Sequence, residues 1–229
     1  MKTIISAFLA LFFFLSHLSY AEAQEAAVYG RIFLPAVEKK QRTFRGRIYR
    51  NRLAAAQKTP KSEQNDRNPL EDVIIAAYPL SFKPEIKPLE KARVLQKNAT
   101  FIPHVLPVTP GTRVEFINLD RFYHNVFSIS PDANFNIGRR PTNTIVSRTI
   151  NKTGEVKLFC DIHSQMNATI LSLETPYFTR ANRNGVYLLD DLPPGRYRIE
   201  VYHPDLPTVS NETTLEDGDK QEQSFTLTR

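Results

Sequence analysis

From Ala92 to Glu174 the sequence repeats one pattern, in which short runs of alternating or β-branched apolar residues are separated by turn signals. The runs read ARVLQKN, PHVLPV, TRVEFINL, HNVFSIS, NTIVSRTI, EVKLFCD and ATILSLE. The punctuation between them includes Pro110-Gly111, Pro131-Asp132 and Lys152-Thr153-Gly154. A period of two over four to eight residues is the mark of a half-buried strand, and turns this frequent leave no room for long helices. Seven such strands predict an all-β stretch folded as an antiparallel sandwich or barrel.

The flanks carry further strand signals. Ala26 to Pro35 (AAVYGRIFLP) and Arg42 to Arg50 (RTFRGRIYR) read as short strands. Asn51 to Glu71 is polar, holds two prolines and has no apolar period, which predicts a mobile loop. Asp72 to Leu80 (DVIIAAYPL) is a continuous apolar run of strand length, as expected of a strand buried on both faces. Pro84 and Pro88 then mark a semi-rigid crossing. After Pro176, Asn184-Gly185 signals a hairpin turn, and Tyr187 to Leu192 and Tyr197 to Tyr202 read as strands around Pro193-Pro194-Gly195. Glu222 to Thr228 alternates once more.

With 41% hydrophobic and 24% charged residues, the 229-residue chain has ordinary globular composition. Residues 1–23 differ: Lys2, the apolar run Ile4 to Leu15, and Ala21-Glu22-Ala23 follow the order of a secretory signal peptide cleaved after Ala23. No second apolar run is long enough to span a membrane once that peptide is removed. Of the N-x-S/T sequences at Asn98, Asn151, Asn167 and Asn211, the one at Asn167 adjoins Met166, where a glycan would crowd the site described next. The four are read as chance matches, and the expected compartment is a bacterial periplasm. The formal charge of +6 implies an acidic protein partner or an anionic membrane surface rather than nucleic acid.

Export makes the single cysteine informative. Cys160 cannot form an intramolecular disulfide in an oxidising compartment, and metal ligation is one way to occupy and protect its sulfur. Cys160, His163 and Met166 stand three apart in LFCDIHSQM, so one loop presents a thiolate, an imidazole and a thioether. That soft set suits copper better than zinc. The missing second imidazole has a candidate in His124, at the head of the run HNVFSIS. His104 and His203 are weaker candidates, read as structural. The acid pairs Asp190-Asp191 and Glu216-Asp217 lie in turns with no nucleophile nearby, and no Gly-rich phosphate loop occurs, so nothing points to an enzyme.

The set His124-Asn125, then Cys160, His163 and Met166 at C-x2-H-x2-M spacing, resembles the cupredoxins, the blue-copper family of plastocyanin, amicyanin and pseudoazurin. The resemblance implies a Greek-key sandwich with one type 1 copper. Cys160, His124 and His163 would form the trigonal plane, Met166 the long axial ligand, and Asn125 a hydrogen bond across to the ligand loop. It further implies that His163 lies near the surface as the electron exit; Ile162 is then either part of a docking patch or ordinary core, and Arg139 and Arg140 are read first as a solvated pair on an exposed turn, which would steer an acidic redox partner if it lay at the same end. Longer stretches, FIPHVLPVTPGTRVEFINLDRFYHNVFSIS, LFCDIH, TPYF and NGVYLLDDLPPGRYRIEVYHP, are similar to the methylamine utilization protein-like, plastocyanin-like periplasmic proteins. Their tail resembles the carboxypeptidase regulatory-like module, a small immunoglobulin-like sandwich. Ser164 departs from that pattern, standing where many relatives have proline, and so does the long loop from Asn51.

The expected organisation is therefore a signal peptide at 1–23 and an N-terminal β segment at 24–90, belonging to the immunoglobulin-like module and carrying a loop at 51–71. A cupredoxin domain at 91–175 and the rest of the module at 176–229 follow. The expected activity is one-electron transfer without substrate turnover. Copper buffering or delivery, and a metal-stabilised binding module, are the alternatives.

Overall fold

The computed structural model describes residues 25–36 and 67–229. The expected signal peptide, the strand at 42–50 and the loop as far as residue 66 lie outside the described residues. Within them the chain is all-β, and the one helical element is a 3-10 turn at Pro69–Asp72. No helix among the described residues is long and apolar enough to cross a membrane.

Two pairs of sheets account for the strands. In the first pair, β1 (Ala26–Phe33) is the hub of one sheet. It pairs antiparallel with β13 (Val186–Leu192) and parallel with β16 (Lys220–Glu222) and β17 (Phe225–Thr226). The facing sheet has the order β12 (Phe178–Arg180), β2 (Ile74–Pro79), β14 (Gly195–His203), β15 (Leu206–Leu215). Strands from both ends of the chain thus share one sandwich. Its core contains Val28, Ile75, Leu189, Tyr197, Ile199 and Leu215. The Asn184-Gly185 turn feeds β13: Gly185 takes φ +78°, and a Cβ there would stand 2.5 Å from the Ile32 carbonyl oxygen, so glycine is required on both counts.

The second pair is built from residues 92–172. One sheet has the order β4 (Thr100–Ile102), β3 (Ala92–Lys97), β6 (Thr112–Asn118), β9 (Ile145–Ile150). The other runs β5 (Val105–Val108), β11 (Asn167–Ser172), β10 (Gly154–Phe159), β7 (Phe127–Ser130), β8 (Ala133–Asn136). Alternation along β3 and β6 sends Val94, Val114 and Phe116 inward, where they meet Leu158, Ala168 and Ile170 from the facing sheet. Parallel pairings of β3 with β6 and of β5 with β11 depart from a purely antiparallel arrangement.

The continuous apolar run at β2 is buried on both faces, as its composition predicts. Val73, Ile75 and Ala77 face the first core, whereas Ile74 and Ala76 meet Val105, Leu171 and Leu173 in a third cluster where the two sandwiches join. Arg180 ties the same junction by donating to the backbone carbonyls of Glu71 and Val105. The end of the expected mobile loop is corrected here. Asn68 caps the 3-10 turn by accepting from the Leu70 N–H, Arg67 pairs with Asp72 at 2.8 Å, and Glu71 pairs with Arg183 at 3.0 Å, so residues 67–71 are fixed.

Ile199 is fully buried at the centre of the first core. Ile199→Ala should lower stability by about 2–5 kcal/mol, measured as a fall in the urea midpoint at unchanged slope.

Candidate metal centre

Strand pairing builds the site. β10 and β11 form a hairpin whose last ladder pair is Phe159 with Asn167, leaving residues 160–166 as its loop. The loop is closed by Cys160 N–H donating to the Met166 carbonyl at 3.3 Å and by Met166 N–H donating to the His163 carbonyl at 2.9 Å. On the other side of β10, Phe159 pairs with Phe127, the first residue of β7. That contact carries the connection from β6 to β7, and His124 within it, to the side of Cys160. His124 is anchored there by two backbone hydrogen bonds with Arg140, of 3.2 and 2.7 Å.

The three predicted donors His124, Cys160 and His163 converge, with their donor atoms all within 4.8 Å of one another. Cys160 Sγ lies 3.9 Å from His124 Nδ1 and 3.9 Å from His163 Nδ1. An ion bound to one nitrogen and one sulfur at ordinary metal bond lengths of about 2.0 and 2.3 Å would separate them by roughly 3.5–3.7 Å, so the three atoms stand close to ligand spacing. Met166 is buried in the same apolar cluster as Cys160. Asn125 is buried beside His124, and its Oδ1 has no hydrogen-bond partner; among the described residues no hydrogen bond joins it to the ligand loop.

One residue of the site escapes sequence reading. Asp120 is buried, and its Oδ2 stands 2.7 Å from His124 Nε2. A carboxylate accepts, so Nε2 carries the hydrogen and Nδ1, on the side of Cys160, is the nitrogen left to bind a metal. Asp120 also accepts from the N–H groups of Asn98 at 2.7 Å and Ala99 at 2.9 Å. Those two residues, at φ 54° and 52°, form the tight turn between β3 and β4 and aim both amides at the carboxylate. Burial by itself raises the Asp120 pKa, but the hydrogen bonds from Ala99, His124 and Asn98 outweigh it and hold the carboxyl below its ordinary value. Desolvation, then the neighbouring His124, lowers the His163 pKa, against a smaller opposing pull from Asp120, which keeps that imidazole neutral and able to ligate.

His163 is partly exposed, and Ile162 beside it is 40% exposed rather than in the core. Phe122 and Tyr123 are exposed on the connection that carries His124. Arg139 pairs with Asp161, next to Cys160, at 3.4 Å, while the Arg140 Nε donates to the Ile137 carbonyl at 2.9 Å. His104 lies away from the cluster at the junction of the sandwiches, with Nε2 3.0 Å from Asn167 Oδ1 and Nδ1 3.2 Å from Asp72 Oδ2. His203 is buried and accepts at Nδ1 from the Asp205 N–H.

No family model matches the chain, and no curated protein matches it. Solved structures resemble it over part of its length. A copper-containing nitrite reductase from Thermus scotoductus SA-01 aligns at 26% identity over 43% of this chain and 26% of its own, with a TM-score of 0.36. A purple cupredoxin from Nitrosopumilus maritimus aligns at 20% identity over 36% of this chain and all of its own, with a TM-score of 0.33. A reduced, Cu(I) form of amicyanin aligns at 18% identity over 43% of this chain and 99% of its own, with a TM-score of 0.35. These likenesses are partial, and the metal chemistry of this chain is argued from its own side chains.

Asp120→Asn replaces one of the two acceptor oxygens that face three donors with an NH2 group, so at least one donor is left facing a donor. The metal-free variant should be less stable at neutral pH by about 1–3 kcal/mol. Because the folded pKa of Asp120 lies below its unfolded value, its contribution is complete above the unfolded value and is lost as pH falls through the folded one. Denaturant midpoints of wild type and variant should therefore converge in acid, and a constant difference across that range would contradict the assignment.

Proposed function

We propose that this chain is a cupredoxin-type electron carrier of the periplasm, with one type 1 copper held by His124, Cys160, His163 and Met166. In this reading residues 91–175 form the cupredoxin unit. Residues 24–90 and 176–229 form an immunoglobulin-like module interrupted by it. The observation that carries the reading is the arrangement of two imidazole Nδ1 atoms at 3.9 Å from a single buried sulfur, with one imidazole already locked in the ligating tautomer by Asp120.

Copper in such a site supplies a one-electron cycle between Cu(I) and Cu(II). The protein's part is to hold its donors in one geometry, so that little moves when charge changes. Cys160 and Met166 are pinned by the closed hairpin loop, and His124 by its bridge to Arg140 and by Asp120. Burial of Cys160 at 6% exposure and of His124 at 0% keeps water away from the donors. His163 alone of the three reaches solvent, which makes its ring edge the route by which an electron leaves. A redox protein would dock on the apolar surface that includes Ile162, and the net positive charge of residues 91–175 favours an acidic partner.

The copper-loaded protein should show the intense visible thiolate-to-copper absorption, and Cys160→Ser should abolish it. Met166→Gln should retain copper and colour with an altered reduction potential. His124→Ala should change the copper spectrum, and an unchanged one would contradict the ligand set. Electron transfer also predicts reversible redox cycling with the metal retained, whereas loss of Cu(I) to a competing chelator on the same timescale would favour copper delivery.

A further inference from the structure

Phe122 is the side chain of the metal end that folding alone does not account for. It is 46% exposed, yet its ring packs on both histidines of the site. The ring centroid lies 4.9 Å from that of His124 at an interplanar angle of 61°, and 5.4 Å from that of His163 at 57°. The two imidazoles are themselves 4.9 Å apart. Three rings from two separate connections therefore close a triangle, at separations and tilts that aromatic groups favour.

The backbone fixes that position. Asn118, fully buried at the end of β6, donates from Nδ2 to the Phe122 carbonyl at 2.9 Å and to the Arg140 carbonyl at 3.0 Å. Arg140 in turn exchanges both backbone hydrogen bonds with His124. One amide side chain thus sets Phe122 and His124 together. Tyr123, between them, is 57% exposed and has no ring contact among the described residues, so it does not share the packing of Phe122 on the imidazoles. A phenyl ring left half in water forfeits part of its burial free energy. What it covers in exchange is the imidazole pair, including His163, the one donor ring open to solvent.

We propose that Phe122 is a positioning residue of the metal centre, fixing the planes of His124 and His163 and screening the imidazole pair from water and small anionic ligands. This inference rests on the copper reading above. The screen has two consequences. A small anion gains no approach to the metal over the imidazole faces. The lower-dielectric cover also favours the less charged oxidation state, so its removal lowers the reduction potential.

The test uses the full-length exported protein carrying Phe122→Ala, Phe122→Val or Phe122→Tyr, with and without copper. Val is included because it keeps an apolar side chain on the connection but has no ring. In the metal-free protein, proton NMR should show one set of Overhauser contacts from the His124 and His163 rings to their surroundings in wild type and in the Tyr variant, and altered or averaged contacts in the Ala and Val variants. In the copper form, azide titration should perturb the visible and spin-resonance spectra of the Ala and Val variants at concentrations at least ten-fold below those needed for wild type, with Tyr restoring resistance. If wild type shows the copper–thiolate band but all four proteins respond to azide alike, the screening role is wrong and the copper reading stands. If wild type shows no such band, the copper reading fails and this inference with it. Overhauser contacts of both imidazole rings that stay as in wild type in the Ala and Val variants would overturn the positioning role in either case.

Discussion

The Asp120 carboxylate is the interaction on which the metal end depends. Three donors that come from different parts of the chain meet on it: two amides of the β3–β4 turn and the Nε2–H of His124. A buried carboxylate is costly unless all its acceptor positions are used, so each donor is held in place by the penalty for its removal. The same group fixes the His124 tautomer. Structure and chemistry therefore share one residue. The turn that closes a hairpin of one sheet also holds the carboxylate that leaves His124 Nδ1, on the side of Cys160, as the nitrogen to bind a metal.

The rest of the molecule positions that arrangement without taking part in it. The β10–β11 hairpin brings Cys160 and Met166 back to back, and the pairing of Phe159 with Phe127 brings the His124 connection alongside. β11 and β2 are buried on both faces because each belongs to a sandwich core and to the apolar cluster between the sandwiches. The first sandwich is thereby joined to the strand that leaves the ligand loop. His104 stands at the same junction, between Asp72 and Asn167, which follows Met166. It lies against residues of both halves, and the ligand atoms converge without it.

Much of this was legible in the sequence for local reasons. Period-two alternation located β3, β6 and β10, and the unbroken apolar run announced that β2 is covered on both faces. The ligand loop could be read because Cys160, His163 and Met166 are close in sequence, and His124 because its run begins a strand. The three-residue strands β4 and β12 carry too few residues for a period to show. β15 was missed for another cause: it is an edge strand, exposed along most of LPTVSNETTL, so no buried face forces alternation on it. The order of residues 67–71 depends on Arg183 and on Arg67–Asp72, contacts that a linear reading of a polar loop does not contain. Asp120 and Phe122 belong to the same class, since their partners are set by the turn at Asn98 and by His163. The positive charge is divided unevenly along the chain. Residues 37–66 hold nine Lys and Arg against three Asp and Glu, and residues 91–175 hold ten against six. The stretch that carries the site is therefore itself basic, and attraction of an acidic partner does not depend on Arg139, which is paired with Asp161.

The central claim is that one sulfur and two imidazole nitrogens of this chain bind copper together. X-ray absorption fine structure at the copper edge of the loaded protein measures that shell directly. The account predicts one short copper–sulfur distance, two imidazole nitrogens with their outer-ring scattering, and loss of the sulfur shell in Cys160→Ser. A first shell of oxygen and nitrogen only, unchanged by that substitution, would contradict it.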